Sequence, residues 1–372
     1  MSNLRVQQLQ HPSASTPALT LANDGTAAAQ LSAINGGPLA GFRNAIINGN
    51  FDVWQRGTSF NTSAFAADRW LNNYVGSSAV MSRQPFTLGQ SNVPGEPRFF
   101  NRTVVTSVAG ASNYSLLLQY IEGVRTFAGQ TVTISFWAKA DASRSIAVEL
   151  MQWFGTGGSP SAVVSGIGAT KFSLTTAWQQ ISLTVTVPSI SGKLLGTAGN
   201  DYLSLNIWFD GGSSFNARNG TLGQQSGTFD IARVQMEPGA FRTPFELRPS
   251  GTELALCQRY YEKSYDLDTI PGTATDTGLV GGQCIYFFST TGYAPPAPAV
   301  SYRVTKRGTP QLNFWNRSGT ANQYSQYYNG VWANQATAPF VLSNSTNGFL
   351  VYPNAYVASM LFHFAADAEI AF

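Results

Sequence analysis

Three tryptophans, Trp137, Trp153 and Trp208, fall in strand-like runs in which every second residue is polar. In TVTISFWAK (131–139), Val132, Ile134, Phe136 and Ala138 share one phase, and Thr133, Ser135, Trp137 and Lys139 share the other. In RSIAVELMQW (144–153), Ile146, Val148 and Leu150 stand opposite Glu149, Met151 and Trp153. In DYLSLNIWFDG (201–211), Leu203, Leu205, Ile207 and Phe209 stand opposite Ser204, Asn206, Trp208 and Asp210. Strand side chains alternate between faces, so each Trp lies on a polar side. A large aromatic there needs a reason. One is ligand chemistry: an indole stacks on the C–H face of a sugar ring while Glu149, Asn206 and Asp210 bond its hydroxyls. The other is packing under a loop or a neighbouring subunit, since Trp is also enriched at interfaces. A shared platform requires all three strands to lie in one sheet.

Other chemistry has a weaker footing. Glycoside hydrolysis needs two facing carboxylates. Glu149 and Asp210 are a candidate pair, but with 19 acids a chance pairing is easy. There is no GxSxG, HExxH, P-loop or CxxC. The two histidines are His11 and His363, so a Ser-His-Asp triad is not expected, and the chain reads as a non-enzyme without a cofactor. Cys257 and Cys284 exclude a disulfide scaffold and argue against a Cys/His zinc site. A bridge between them is open, with two buried thiols the plainer expectation. Asp52 in GNFD and Asp230 in FDIA are candidates for a structural Ca²⁺, or more simply for capping turns. A second contact set is Tyr324, Tyr327, Tyr328 and Trp332 in the loop-rich stretch YSQYYNGVW. Loops on a rigid scaffold often carry binding, and Tyr and Trp make contacts of low entropic cost. Packing around an oligomer axis is the alternative.

The elements that must position these residues are strands. The chain has 372 residues, 13% aromatic and only 11% charged. Ordinary globular chains carry about 25% charged residues. Few charges with many Gly, Thr and aromatic residues suggest an all-β extracellular or virion protein. The net charge of +3 and the absence of Lys/Arg runs leave no electrostatic footprint for nucleic acid. No signal-peptide core and no run of about 18 apolar residues is present. The expectation is synthesis in the cytoplasm, with no membrane insertion and release by lysis or assembly.

Four parts are expected. Residues 1–43 are polar and Gly/Pro-punctuated, an attachment or assembly segment that takes its core from other subunits. Residues 44–248 hold evenly spaced short strands, a jelly-roll β-sandwich. NAIINGNFDVWQRGTSF (44–60) reads as its opening strand and GTFDIARVQME (227–237) as its closing one. Residues 249–264 form a junction, where Thr252 caps a short helix containing Leu254, Leu256 and Cys257. Residues 265–372 form a second, sandwich-like β region that closes on a paired strand.

Several motifs occur in an order similar to that of a known family. NAIINGNFDVWQRGTSF followed by ADRW (67–70), FWAKAD (136–141), AWQQISLTVTVP (177–188) and FDIARVQMEPGAFRTPFELRP (229–249) resemble the carbohydrate-binding-module-like domain of bacteriophage tail fibres. ELALCQRYYEKS (253–264) resembles the junction that follows it, and LRVQQLQHPSASTPALTLANDGTAA a tail-attachment segment, particularly of phages infecting cyanobacteria. The resemblance covers most of residues 1–264 and weakens after 270. It implies a homotrimeric receptor-binding fibre of the virion tail. The N-terminal segment would dock on the tail or baseplate, and a distal tip would touch a host surface polysaccharide. It carries over no catalytic or ligand residues. The competing expectations are a purely structural virion part, such as a head decoration or baseplate protein, and a polysaccharide depolymerase.

Overall fold

The computed structural model describes residues 7–10, 12–15, 17–21, 23, 27–29, 41–283, 297–328, 330–353 and 359–370. The chain is almost all β, and every strand pairing among the described residues is antiparallel. Near the N-terminus, Gln8–Leu9, Leu19–Leu21 and Ala27–Ala29 form a small sheet with Leu9 and Leu21 exposed.

Two six-stranded sheets make the central sandwich. The first orders Gln179–Thr186, Thr131–Ala140, Gly227–Pro238, Phe99–Thr106, Ser78–Pro85 and Ser59–Phe60. The second orders Val164–Leu174, Arg144–Trp153, Tyr202–Gly211, Tyr114–Glu122, Trp70–Val75 and Ala64–Phe65. Their inner faces are the aliphatic phases of the alternation. Val132, Ile134, Phe136 and Ala138 on the first sheet share one core with Ile146, Val148, Leu150, Leu203, Leu205, Ile207 and Phe209 on the second. Burying such side chains stabilises by roughly 1.5–3 kcal/mol each, so the sandwich closes on this face.

The expected opening strand is not one. Between Asn44 and Thr58 the chain is turn and irregular structure, and only Ser59–Phe60 pairs as a strand. Asn48 and Phe51 both take left-handed conformations, each with φ +56°, which no continuous strand accommodates. The segment still docks on the closing strand: Ala45 N–H donates to Met236 O at 2.8 Å and Val234 N–H to Gly49 O at 2.9 Å. The Asn44 carboxamide oxygen accepts from Ile46 N–H and Met236 N–H, both at 3.0 Å. A Cβ at residue 49 would fall 2.1 Å from Val234 O, so this close approach requires glycine.

The helix of the junction spans Ser250–Gln258 with Pro249 at its N-cap position, three residues before the expected Thr252 cap. Cys257 is a buried free thiol on it, and burial pushes its pKa up. Cys284 lies outside the described residues, as does His11. The junction then becomes a strand, Tyr261–Lys263, paired with Ser359–Asp367. That late strand is central to the C-terminal module, pairing also with Gln311–Trp315, Val280–Gln283 and Tyr324–Tyr328. A three-stranded sheet of Ala299–Ser301, Gly348–Tyr352 and Phe340–Asn344 faces it across Tyr302, Phe314, Phe349, Val351, Phe362 and Phe364.

The sandwich and the module are clasped by the motif residues near Asp68 and the YYEK run. Arg69 is buried, stacks 3.4 Å from the Tyr260 ring centroid and pairs with Glu369. Arg56 stacks 3.7 Å from the Tyr261 ring and pairs with Asp367 at 3.0 Å. Lys263 Nζ donates to the carbonyls of Gln55, Leu267 and Thr269, while burial lowers its pKa to about 8. Among the described residues no helix is long and apolar enough to cross a membrane.

Candidate functional site

Four of the six proposed platform residues do share a face. Trp153, Trp208, Glu149 and Asn206 project from the outer side of the second sheet, where Glu149 sits directly opposite Asn206 and Ala147 opposite Trp208. Asp210 does not: a β-bulge after Trp208 turns it to the inner phase, opposite Ser115. Trp137 does not join them. Its strand belongs to the first sheet, so its indole points away from the other two across the whole sandwich. The three-Trp platform is therefore corrected: alternation places a residue on a face, but strand pairing chooses the sheet.

The outer face of the second sheet is also covered. After the strand Tyr202–Gly211 the chain turns through Ser213–Phe215 and Asn216–Asn219. Phe215 lies 5.2 Å from the Trp208 ring and Arg218 stacks 5.0 Å from it. Trp208 is 1% exposed and Glu149 0%. The Glu149 carboxylate accepts from Arg218 at 2.6 Å, Gly166 N–H at 2.6 Å, Asn206 at 3.0 Å and the Trp208 indole at 3.2 Å. Asp210 accepts from Ser77 at 2.6 Å, Ser107 at 2.8 Å and Gln225 N–H at 2.8 Å. At the other end Tyr260 and Ile370 pack on Tyr120 and Tyr202, and Trp153, half-buried, stacks 6.1 Å from Tyr202. This polar phase is a second interior. The candidate acid pair is set apart as well. Asp210 stands four residues beyond the partner of Glu149, about 13 Å along the strand, against about 5–9.5 Å between glycosidase carboxylates.

The first sheet keeps an open outer face around Trp137. Trp137 is half-buried, in register with Gln180 on one side and Ala232 on the other. A β-bulge precedes it, between Ser135 and Trp137, where Arg233 on the partner strand takes φ +52°; such bulges re-aim neighbouring side chains. Lys139, two residues on, lies 5.3 Å from the ring of Trp178. Trp178 is half-buried and backed by Phe86 at 5.3 Å and Phe100 at 5.4 Å. Buried Asp230 accepts both arms of Arg102 at 2.8 Å and lies 3.5 Å from Lys139. The bond to Asp230 raises the pKa of Arg102. Two indoles with held charges and amides beside them can stack on sugar rings and bond their hydroxyls. Trp178 was legible in sequence, since it shares the outward phase of Gln180, Ser182 and Thr184, but it stands one residue before its strand.

The Asp52 and Asp230 pair meets different partners. Asp230 is neutralised by Arg102 and Lys139, and Asp52 accepts from Asn50 at 2.8 Å. Burial raises the pKa of Asp52. Among the described residues no group of three or more His, Cys, Asp or Glu is placed to hold a metal.

The stretch YSQYYNGVW is a hairpin rather than a loop, pairing Tyr324–Tyr328 with Val331–Gln335. Tyr324 is 0% exposed and belongs to the module's core. Tyr327 packs 5.4 Å from Trp332, which is 42% exposed. The Tyr328 side chain lies outside the described residues. Beside Trp332 a shallow hollow of about 340 Å³ is lined by Asp276, Arg317, Ser318, Ser325 and Asn334, with Arg317 held by Asp276 at 2.5 Å and 2.8 Å.

Solved structures similar to this chain include a CBM4 domain, 18% identical over 52% of this chain and 98% of that one, with a TM-score of 0.29. Another is the enzymatically active domain of tailspike protein 4 of bacteriophage CBA120, 13% identical over 55% of this chain and 22% of that one, TM-score 0.30. A third is the CBM22-2 xylan-binding domain of Paenibacillus barcinonensis Xyn10C, 16% identical over 49% and 98%, TM-score 0.30. No protein-family model and no curated protein matches the sequence. Likeness at this level carries no argument about ligand or activity, and the all-β architecture rests on the strand pairings themselves.

Proposed function

We propose that this chain is a non-enzymatic adhesive protein of a phage tail fibre that binds host surface polysaccharide. The observation that carries the reading is the open outer face of the first sheet, with Trp137 and Trp178 beside Lys139, Gln180, Arg102 and Asp230. Partly exposed indoles held next to fixed polar groups suit a flat carbohydrate face, because stacking covers C–H surface while the amides and charges bond hydroxyls. The ordered motifs between residues 44 and 264 support the tail-fibre assignment. In this reading the protein is a homotrimer of the virion tail, made in the host cytoplasm, and residues 1–43 dock on the tail or baseplate. Trp332 and Tyr327 on the distal hairpin give a second contact with the host.

The test is adsorption to host cells and binding to a polysaccharide array by the intact trimer. Trp137→Ala with Trp178→Ala is expected to lower glycan binding at least about tenfold, since each base- or ring-stacking aromatic contributes on the order of 1 kcal/mol or more. Light scattering should give three times the chain mass. Full adsorption by the folded double variant would remove the sheet face from the reading. A purely structural virion role is favoured by one observation, the sealing of Trp208 and Glu149 on the second sheet's outer face. It predicts no glycan on the array at all.

A further inference from the structure

A cleft of about 630 Å³ opens where the segment after Asn44, the strand Gly227–Pro238 and the first turn of the helix Ser250–Gln258 meet. That volume lies in the range of about 300–1,000 Å³ typical of small-molecule sites. It shares no lining residue with the sheet face around Trp137. One wall is apolar, formed by Phe245 and Leu254. The Arg233 guanidinium lies 5.2 Å from the Phe245 ring and donates to Gly95 O at 2.6 Å.

The facing wall carries unspent hydrogen-bonding capacity. Asn50 donates its amide to one oxygen of Asp52 at 2.8 Å. The other oxygen of Asp52, the carboxamide oxygen of Asn50 and the Nε–H of Arg233 have no hydrogen-bond partner, although all three are closed off from bulk solvent. Asn50 itself is 8% exposed. The Nε–H of Arg248, on the same lining, is likewise without a partner among the described residues. Buried polar atoms are nearly always paired, and four unpaired ones on the lining of a single cleft mark the place of an occupant.

The chemistry of that occupant follows from the set. Two orphans accept and two donate. The lining also holds Glu96, Glu246 and Glu253 against Arg98 and Arg248, so the cleft has no positive excess to hold a phosphate. A hydroxyl both donates and accepts. Adjacent hydroxyls of one sugar can donate to Asp52 and Asn50, and one of them can accept from Arg233, while the C–H face of the ring lies on Phe245. We infer that this cleft is a saccharide subsite that holds one sugar residue through a vicinal diol. It stands apart from the sheet-face reading, since the two sites use different residues.

Saturation-transfer NMR on the full chain tests it, with the methyl α-glycosides of glucose, galactose and mannose as probes. At least one glycoside is expected to bind both the wild type and the Trp137→Ala/Trp178→Ala variant. Asp52→Asn and Arg233→Lys, each checked for a native melting curve, should weaken that binding about tenfold, the effect of one charged hydrogen bond. Arg233→Lys keeps the charge while removing the Nε–H, so it serves where Asp52→Asn fails to fold. The inference is overturned if no glycoside binds the double variant, or if both cleft variants bind as the wild type does, which is the result for a cleft filled by water alone. Loss of array binding in the double variant, with glycoside binding intact, separates the two sites.

Discussion

The Trp208 indole donates to the Glu149 carboxylate at 3.2 Å, and both side chains lie inside the protein. Neighbouring strands bring them together, and the helical turns at Ser213–Asn219 seal them. The pair converts a polar strand phase into a satisfied interior network, with Arg218, Asn206 and Gly166 N–H completing it. What resembles a ligand platform in the linear pattern is the fastening of a loop.

Glu149→Ala leaves Arg218, Asn206 and the Trp208 indole without their common acceptor. Breaking a buried ion pair by removing one partner costs about 3–5 kcal/mol. Because Arg218 keeps some contact with water, the lower end of that range is expected from urea denaturation. Glycan binding by the folded variant should stay at the wild-type level, because Glu149 and Trp208 are buried.

Arg69→Ala should uncouple the two β regions. It removes the cation stacked on Tyr260 and leaves Glu369 with Arg56, at 3.4 Å, as its cation among the described residues. A loss of about 3 kcal/mol is expected. Calorimetry should resolve the C-terminal module melting ahead of the sandwich, where the wild type melts in closer register.

His363 predicts acid sensitivity of the C-terminal module. It is buried, stacks 3.8 Å from the Tyr265 ring, and its ring nitrogens face Ser264 Oγ at 3.1 Å and Thr275 O at 2.9 Å. Burial lowers its pKa below 6.5, with Thr275 and Asp276 opposing in part. A lowered folded-state pKa means the unfolded chain binds the proton first as pH falls through 6.5. Stability therefore drops below that pH and is regained above it. Melting temperatures between pH 7.5 and 5 should fall more steeply for the wild type than for His363→Gln.

The two ends of the distal hairpin should respond in opposite ways. Tyr324→Ala empties a core position and is expected to cost about 3–5 kcal/mol. Trp332→Ala removes a side chain that is 42% exposed and stacked on Arg317 at 5.2 Å, and should cost less than about 1 kcal/mol. Denaturation curves measure both. Loss of host adsorption in folded Trp332→Ala would place the receptor contact on this hairpin.

The motifs that carry the family resemblance have a structural use that no local pattern announces. Gln55, Arg56 and Arg69 lie in or next to NGNFDVWQRG and ADRW, and each reaches the junction strand or the chain's last described residues. Their partners are some 200–300 positions away. Asn48 and Phe51 likewise read as strand residues, yet their left-handed backbone turns the segment into a buried plug held by Asn44 and Gly49.

The sequence by itself determined the all-β class, the aliphatic inner faces and the fact that Trp153, Glu149, Asn206 and Trp208 project on the side opposite the core, while the bulge that turns Asp210 inward escaped it. These follow from the two-residue period of a strand, a property of adjacent residues. Only the tertiary structure decided that Trp137 belongs to the other sheet, that Trp208 and Glu149 are sealed by Phe215 and Arg218, and that Tyr324 is core while Trp332 is surface. Those outcomes depend on which distant strands pair and which loop folds over them. They are set by the burial of whole faces, and no window of a few residues contains that information.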